Sequence, residues 1–123
     1  MMQAIDALLE AVGPTHDDRQ SAMLEHAVAE GFPTVGPGAG RVLRLLARLA
    51  DAREVFEFGS GFGYSASWLA RGMSDGRIVL TEYDEDELAL AREFLDNAYD
   101  VTFAFESGDA MAAVERYDGP FDV

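Results

Sequence analysis

The stretch Val55-Phe56-Glu57-Phe58-Gly59-Ser60-Gly61-Phe62-Gly63-Tyr64-Ser65 decides the fold. An apolar run ends in three alternating glycines, and a helical pattern follows without a linker. Residues 54–58 read as a short strand and residues 64–73 as a helix. Glycines 59, 61 and 63 let the backbone bend sharply between them and leave room for a ligand to approach the main chain. The free amides at the start of the helix then face whatever lies beyond the strand end.

Working outward, the period alternates. Residues 77–81 read as a second strand, 84–97 as a charged amphipathic helix, 101–105 as a third strand and 109–117 as a short helix. Asp118-Gly119-Pro120 marks a turn, and Phe121-Asp122-Val123 begins a fourth strand. Strands alternating with helices predict an α/β fold, a Rossmann-like, doubly wound parallel sheet with helices on both faces. Upstream, Ile5, Leu8, Leu9 and Val12 recur at helical spacing until Gly13-Pro14. A second helix starts near Asp17, with Met23, Leu24 and Val28 on one face and Gly31 as its stop. Residues 32–40 read as a loop. A third helix over residues 41–50 is expected to bury Val42, Leu45, Leu46 and Leu49 and to expose Arg41, Arg44 and Arg48. The chain therefore divides into an N-terminal helical segment and loop, residues 1–40, and a sheet domain, residues 41–123.

Composition bounds the function. The 123 residues are 49% hydrophobic, enough for one domain with a real core. No apolar run reaches the roughly 20 residues of a membrane span, and the first residues lack the pattern of a secretory signal, so a cytoplasmic location is expected. The absence of cysteine excludes disulfides and thiolate chemistry. There are 23 acidic and 9 basic residues, for a net charge of −14, and every basic residue is Arg. Such a surface repels phosphate backbones, which argues against a nucleic-acid partner. It also fits a halophilic protein, in which salt screens the self-repulsion.

Two acidic residues define the ligand. Glu57 precedes the turn, where a carboxylate would repel a pyrophosphate but suits an ammonium and a sulfonium. The dinucleotide fingerprint wants its third glycine, or alanine, where this chain has Tyr64. Glu82, closing the second strand, stands where a carboxylate accepts hydrogen bonds from ribose hydroxyls. Asp84-Glu85-Asp86-Glu87 reads as a solvated first helical turn favoured by the helix dipole, not as a cation site. His16 and His26 are the only histidines, and neither is assigned a catalytic role.

These residues, with Thr81-Glu82-Tyr83-Asp84, Gly108-Asp109-Ala110 and Gly38-Ala39-Gly40-Arg41, make the chain resemble the class I S-adenosylmethionine-dependent methyltransferases. It is most similar to the O-methyltransferase group that includes the catechol and caffeoyl-CoA enzymes. The resemblance implies S-adenosyl-L-methionine as cofactor, O-methylation of a small-molecule acceptor, and a set of residue roles. Glu57 and the backbone of Gly59 and Gly61 would hold the methionine moiety within the turn that Gly63 closes, with Ser65 on its carboxylate. Glu82 would take the ribose hydroxyls and Tyr83 the adenine face. Asp109 and Ala110 would flank the adenine, Asp109 accepting from its amino group while also free to cap a helix. Val35 would stand beside the cofactor.

The sequence departs from the family pattern at residues 96–100, a stretch shorter than usual. The family's sheet also continues past the position of Val123, to an acidic residue that binds a divalent cation in metal-dependent members. No catalytic residue and no metal ligand is assigned here. A non-catalytic S-adenosylmethionine-binding or assembly module and an NAD-dependent oxidoreductase are the competing readings. A sheet ordered 3-2-1-4 would leave its fourth strand as an exposed apolar edge, an invitation to pair into a homo-oligomer.

Overall fold

A computed structural model describes all residues, Met1–Val123. Helices α1 (Met2–Val12), α2 (Asp18–Glu30) and α3 (Gly36–Leu49) precede an alternation of β1 (Glu54–Glu57), α4 (Tyr64–Gly72), β2 (Arg77–Glu82), α5 (Glu85–Leu95), β3 (Thr102–Ser107) and α6 (Ala110–Val114). The strands form a parallel sheet in the order β1-β2-β3, with Val55 opposite Ile78 and Leu80 opposite Phe105. Residues 121–123 are not a regular strand, yet they lie along the free edge of β1. There Asp122 N donates to Glu54 O at 2.7 Å and Phe56 N to Val123 O at 3.0 Å. The sheet itself has three strands, and the expected fourth is represented only by this segment, held beside β1 by two main-chain bonds. The winding reverses at β1.

Side-chain alternation along the strands sorts the core into two layers, because successive Cβ atoms point to opposite faces of a sheet. Val55, Ile78 and Leu80 face α4 and α5, in a cluster with Trp68, Leu69, Ala91 and Leu95. Phe56 and Val79 face the other way, onto Ala113 of α6 and the rings of Tyr117 and Phe121. Met23 and Ala27 of α2 join the first cluster. Each fully buried side chain of Ile or Leu size stabilises the fold by about 1.5–3 kcal/mol.

Helix boundaries follow local chemistry. Asp17 and Gln20 form a reciprocal capping box on α2, and Gly31 ends it at φ +65°. Asp84 caps α5 by accepting from the amides of Asp86 and Glu87, so the acidic run is a first helical turn, as the sequence indicates.

Three expectations fail. Residues 36–40 are helical: α3 starts at Gly36, because Pro37 in a first turn costs no hydrogen bond. Val28, expected on the inner face of α2, is exposed, and the buried face is Gln20, Met23 and Ala27. The third correction is larger. Val42, Leu45, Leu46 and Leu49 are exposed, Leu49 at 74%, whereas Arg41 is only 8% exposed. Helix α3 packs on α4 through small residues instead. A side chain on Gly40 would collide with the Trp68 indole, and Ala47 lies against Gly72. Close approach through Gly and Ala turns the leucine stripe away from α4.

Candidate cofactor site

The glycine turn sits at the carboxyl end of β1, and β2 holds it in place. Thr81, fully buried, donates its hydroxyl to Glu57 O at 2.7 Å and accepts from Gly59 N at 3.1 Å. Its carbonyl accepts from Ser60 N at 2.8 Å. Glu82 completes the staple: Oε2 accepts from Gly61 N at 2.8 Å and Oε1 from Asp84 N at 3.1 Å. The carboxylate that closes β2 is therefore held against the glycine turn before any ligand arrives.

The turn needs its glycines for two different reasons. Gly61 (φ +54°) and Gly63 (φ +92°) lie in the left-handed region, which costs other residues about 1–2 kcal/mol. A Cβ on Gly61 would come within 2.6 Å of the Phe32 ring, and one on Gly63 within 2.5 Å of Leu95. Gly59 (φ +72°) is the open case, since a Cβ there would meet nothing within 4 Å. Packing fills the space behind Gly61 and Gly63, and the space in front of Gly59 is free for a ligand.

A cleft of about 230 Å³ opens at this point, lined by Gly59, Ser60, Gly61, Phe62, Tyr64, Ser65 and Glu82 on one side. The segment Phe32-Pro33-Thr34-Val35 forms the other. Phe32 is seated edge-on against Phe62, whose ring also meets His26. Of the residues singled out from sequence, Gly59, Gly61, Ser65 and Glu82 line the cleft, as does Val35. Glu57 and Gly63 stand behind it. Tyr83 is 73% exposed beyond the end of β2. Asp109 caps α6 by accepting from Met111 N at 3.0 Å, and Ala110 begins that helix.

The sequence reading missed Phe32, Pro33, Thr34 and Thr81. Thr81 carried a signal: it is a polar residue closing the otherwise apolar run Ile78-Val79-Leu80. The Phe32 segment carried none, because a loop's contact with a distant turn leaves no periodicity.

Glu57 is the electrostatic anomaly of the site. Although the residue as a whole is half-buried, Oε1 has neither solvent nor a hydrogen-bond partner. Oε2 accepts from Ser65 Oγ at 2.7 Å. Burial pushes this carboxyl up to about 7, and the Ser65 bond offsets only part of that. Behind the cleft, His16 Nε2 lies 2.8 Å from the Tyr64 hydroxyl, its ring against Trp68. Burial, with Arg41 and Arg71 nearby, holds His16 below the ordinary histidine range. Among the residues, no group of three or more His, Cys, Asp or Glu side chains is placed to hold a metal ion.

A glycine turn at the point where a parallel sheet reverses its winding, with an acidic residue closing the next strand, defines a class: Rossmann-type α/β proteins that take a nucleoside-bearing cofactor. The family follows from comparison. The O-methyltransferase family model matches residues 20–120, and the chain belongs to that family. A catechol O-methyltransferase of Niastella koreensis is 30% identical over 131 residues, covering 100% of this chain and 59% of the relative. A catechol O-methyltransferase of Mycobacterium tuberculosis is 36% identical over 97 residues, covering 76% of this chain and 44% of the relative. The crystal structure of a Bacillus cereus O-methyltransferase in complex with SAH superposes with a TM-score of 0.79 at 31% identity. That superposition covers 96% of this chain and 57% of the other. The chain thus spans less than two thirds of the length of these relatives. No helix is long and apolar enough to cross a membrane.

Proposed function

We propose that this chain is the cofactor-binding part of an S-adenosylmethionine-dependent O-methyltransferase acting on a small-molecule acceptor. The observation that carries this reading is the Gly61 N to Glu82 Oε2 bond of 2.8 Å. It holds the carboxylate that closes β2 against a turn with open space in front of Gly59, which supports a ribose-binding role for Glu82. When bound, the cofactor supplies an electrophilic methyl group for in-line displacement by an acceptor oxygen, a reaction that depends mainly on positioning.

The chain's own residues fit that ligand. In this reading the Gly59 and Gly61 backbone and the first turn of α4 receive the methionine end, Ser65 meeting its carboxylate and Glu57 its ammonium. Glu82 takes the ribose hydroxyls, and Tyr83, Asp109 and Ala110 surround the adenine. The unpartnered, buried Oε1 of Glu57 supports the assignment, as a buried acceptor left without a donor is costly. The same feature weighs against NAD, which carries no ammonium group to satisfy that oxygen. Family membership and the relatives' names favour an enzyme over a non-catalytic module.

Calorimetric titration tests the reading. S-adenosylhomocysteine should bind and NAD should not; the reverse would overturn it. Methyl transfer to catechol-like acceptors, by this chain and by any longer product of the same gene, tests the enzyme. Cofactor binding with no transfer by either version would leave only the binding module. We place the protein in a salt-rich cytoplasm, on the net charge of −14 and the lack of Lys. A melting temperature that fails to rise between 0.1 and 2 M KCl would remove that assignment.

A further inference from the structure

The acidic side chains around the glycine turn differ in how their charge is met. Glu82 accepts from the Gly61 and Asp84 amides, and Asp84 from the amides of Asp86 and Glu87. Asp109 accepts from Met111 N in the first turn of α6. Each is held by main-chain donors. Glu57 has a single donor, the Ser65 hydroxyl at 2.7 Å, and its other oxygen is sealed from water with no partner.

The surroundings supply no countercharge. Ser65 of α4 is the polar group on the carboxyl; Leu80 stands opposite Glu57 on β2, and Thr81 bonds only the Glu57 main chain. Glu82, the charged residue that ends β2, is itself acidic and turned to the Gly61 amide. Burial is the main influence on the Glu57 carboxyl and raises it, and the Ser65 hydrogen bond is the opposing one. A carboxylate so placed lacks what a buried charge requires, a paired cation or a full set of donors.

We propose that Glu57 stands as a neutral acid until ligand binds and is ionised by the arrival of the ligand's ammonium group, so that binding of the amino-acid end releases a proton. The inference rests on the S-adenosylmethionine reading above and adds a selection rule to it. The Glu57 O–H bond breaks, its electron pair stays on the carboxylate, and the proton passes to solvent. The carboxylate then accepts an N–H of the ammonium, and nothing is oxidised or reduced. A nucleoside without the amino-acid end offers no N–H to Glu57 and leaves the proton in place. The upward shift of the carboxyl to about 7 sets the pH range in which this operates.

Titration calorimetry in buffers of different ionisation enthalpy measures the proton directly. For S-adenosylhomocysteine the release should be ~0.9 proton at pH 6, ~0.5 at pH 7 and ~0.1 at pH 8, as linkage to one such group requires. Affinity should rise about tenfold from pH 6 to pH 8 by the same linkage. 5′-Methylthioadenosine, which lacks the amino-acid end, should bind with no release at any of these values. A folded Glu57→Gln variant should bind S-adenosylhomocysteine without releasing a proton. The wild-type measurement decides the matter even where that variant fails to fold. Binding of S-adenosylhomocysteine with no proton released at pH 6 overturns this inference alone. No binding at any pH overturns the cofactor reading together with it.

Discussion

Helices α3 and α4 lie side by side, and they use their apolar residues in opposite ways. In α4, six of nine residues are buried, Trp68 completely. In α3, only Gly40, Arg41 and Ala47 are buried, while Val42, Leu45, Leu46 and Leu49 face out. Helix α1, which packs on α3, buries none of its residues. The difference teaches that an amphipathic stripe records a face that needs covering, and not which neighbour covers it. Helix α4 lies between β2 and α3, whereas α3 packs on α4 and α1 and leaves its leucines exposed.

The comparison breaks most visibly at Trp68. Trp68→Ala should cost about 3–5 kcal/mol in urea denaturation, because it empties the contact on which α3, α4 and His16 converge. A loss below about 1 kcal/mol would mean that the α3–α4 contact carries little of the stability.

The next largest effect is pH-dependent. The Glu57 carboxyl is raised from 4.5 to about 7 by burial, so its favourable, protonated state is complete below pH 4.5 and is lost as pH rises through 7. Glu57→Gln, which stays neutral, should match the wild type at pH 4 and exceed it by on the order of 3 kcal/mol at pH 8 without ligand. Equal pH profiles for the two proteins would show that the carboxyl is solvated.

Gly61→Ala should lose about 1–2 kcal/mol for its left-handed backbone. It should also weaken S-adenosylhomocysteine binding, since Phe32 must shift to admit the methyl group. Thermal melts and titration together separate the two effects. The smallest change is on the outer stripe: Leu49→Ala should move stability by less than about 0.5 kcal/mol. A larger loss would reveal that something covers α3 in solution, and would be the sharpest correction to the contrast drawn between the two helices.

Much of the site was legible because its chemistry is local. Gly59, Gly61 and Gly63 form one turn, and Ser65 lies in the first turn of the helix that follows. Glu82 could be placed because strands in an alternating pattern end on the same side of a parallel sheet. Phe32, Pro33 and Thr34 were not legible as site residues, since they reach the turn from a loop more than twenty residues earlier. The double role of Thr81, on β1 and on the turn at once, needed the register of β1 against β2.

The sequence by itself determined the order of strands and helices, the glycine turn, the helix boundaries near Asp17, Gly31 and Asp84, and the family resemblance. These depend on residues close in the chain, where backbone preference and short-range hydrogen bonds suffice. Only the tertiary structure decided which face of α3 is buried, that Arg41 lies inside and Leu49 outside, and that Glu57 is left with one donor and a sealed oxygen. Burial is a property of what arrives from elsewhere in the chain, and neither composition nor periodicity records it.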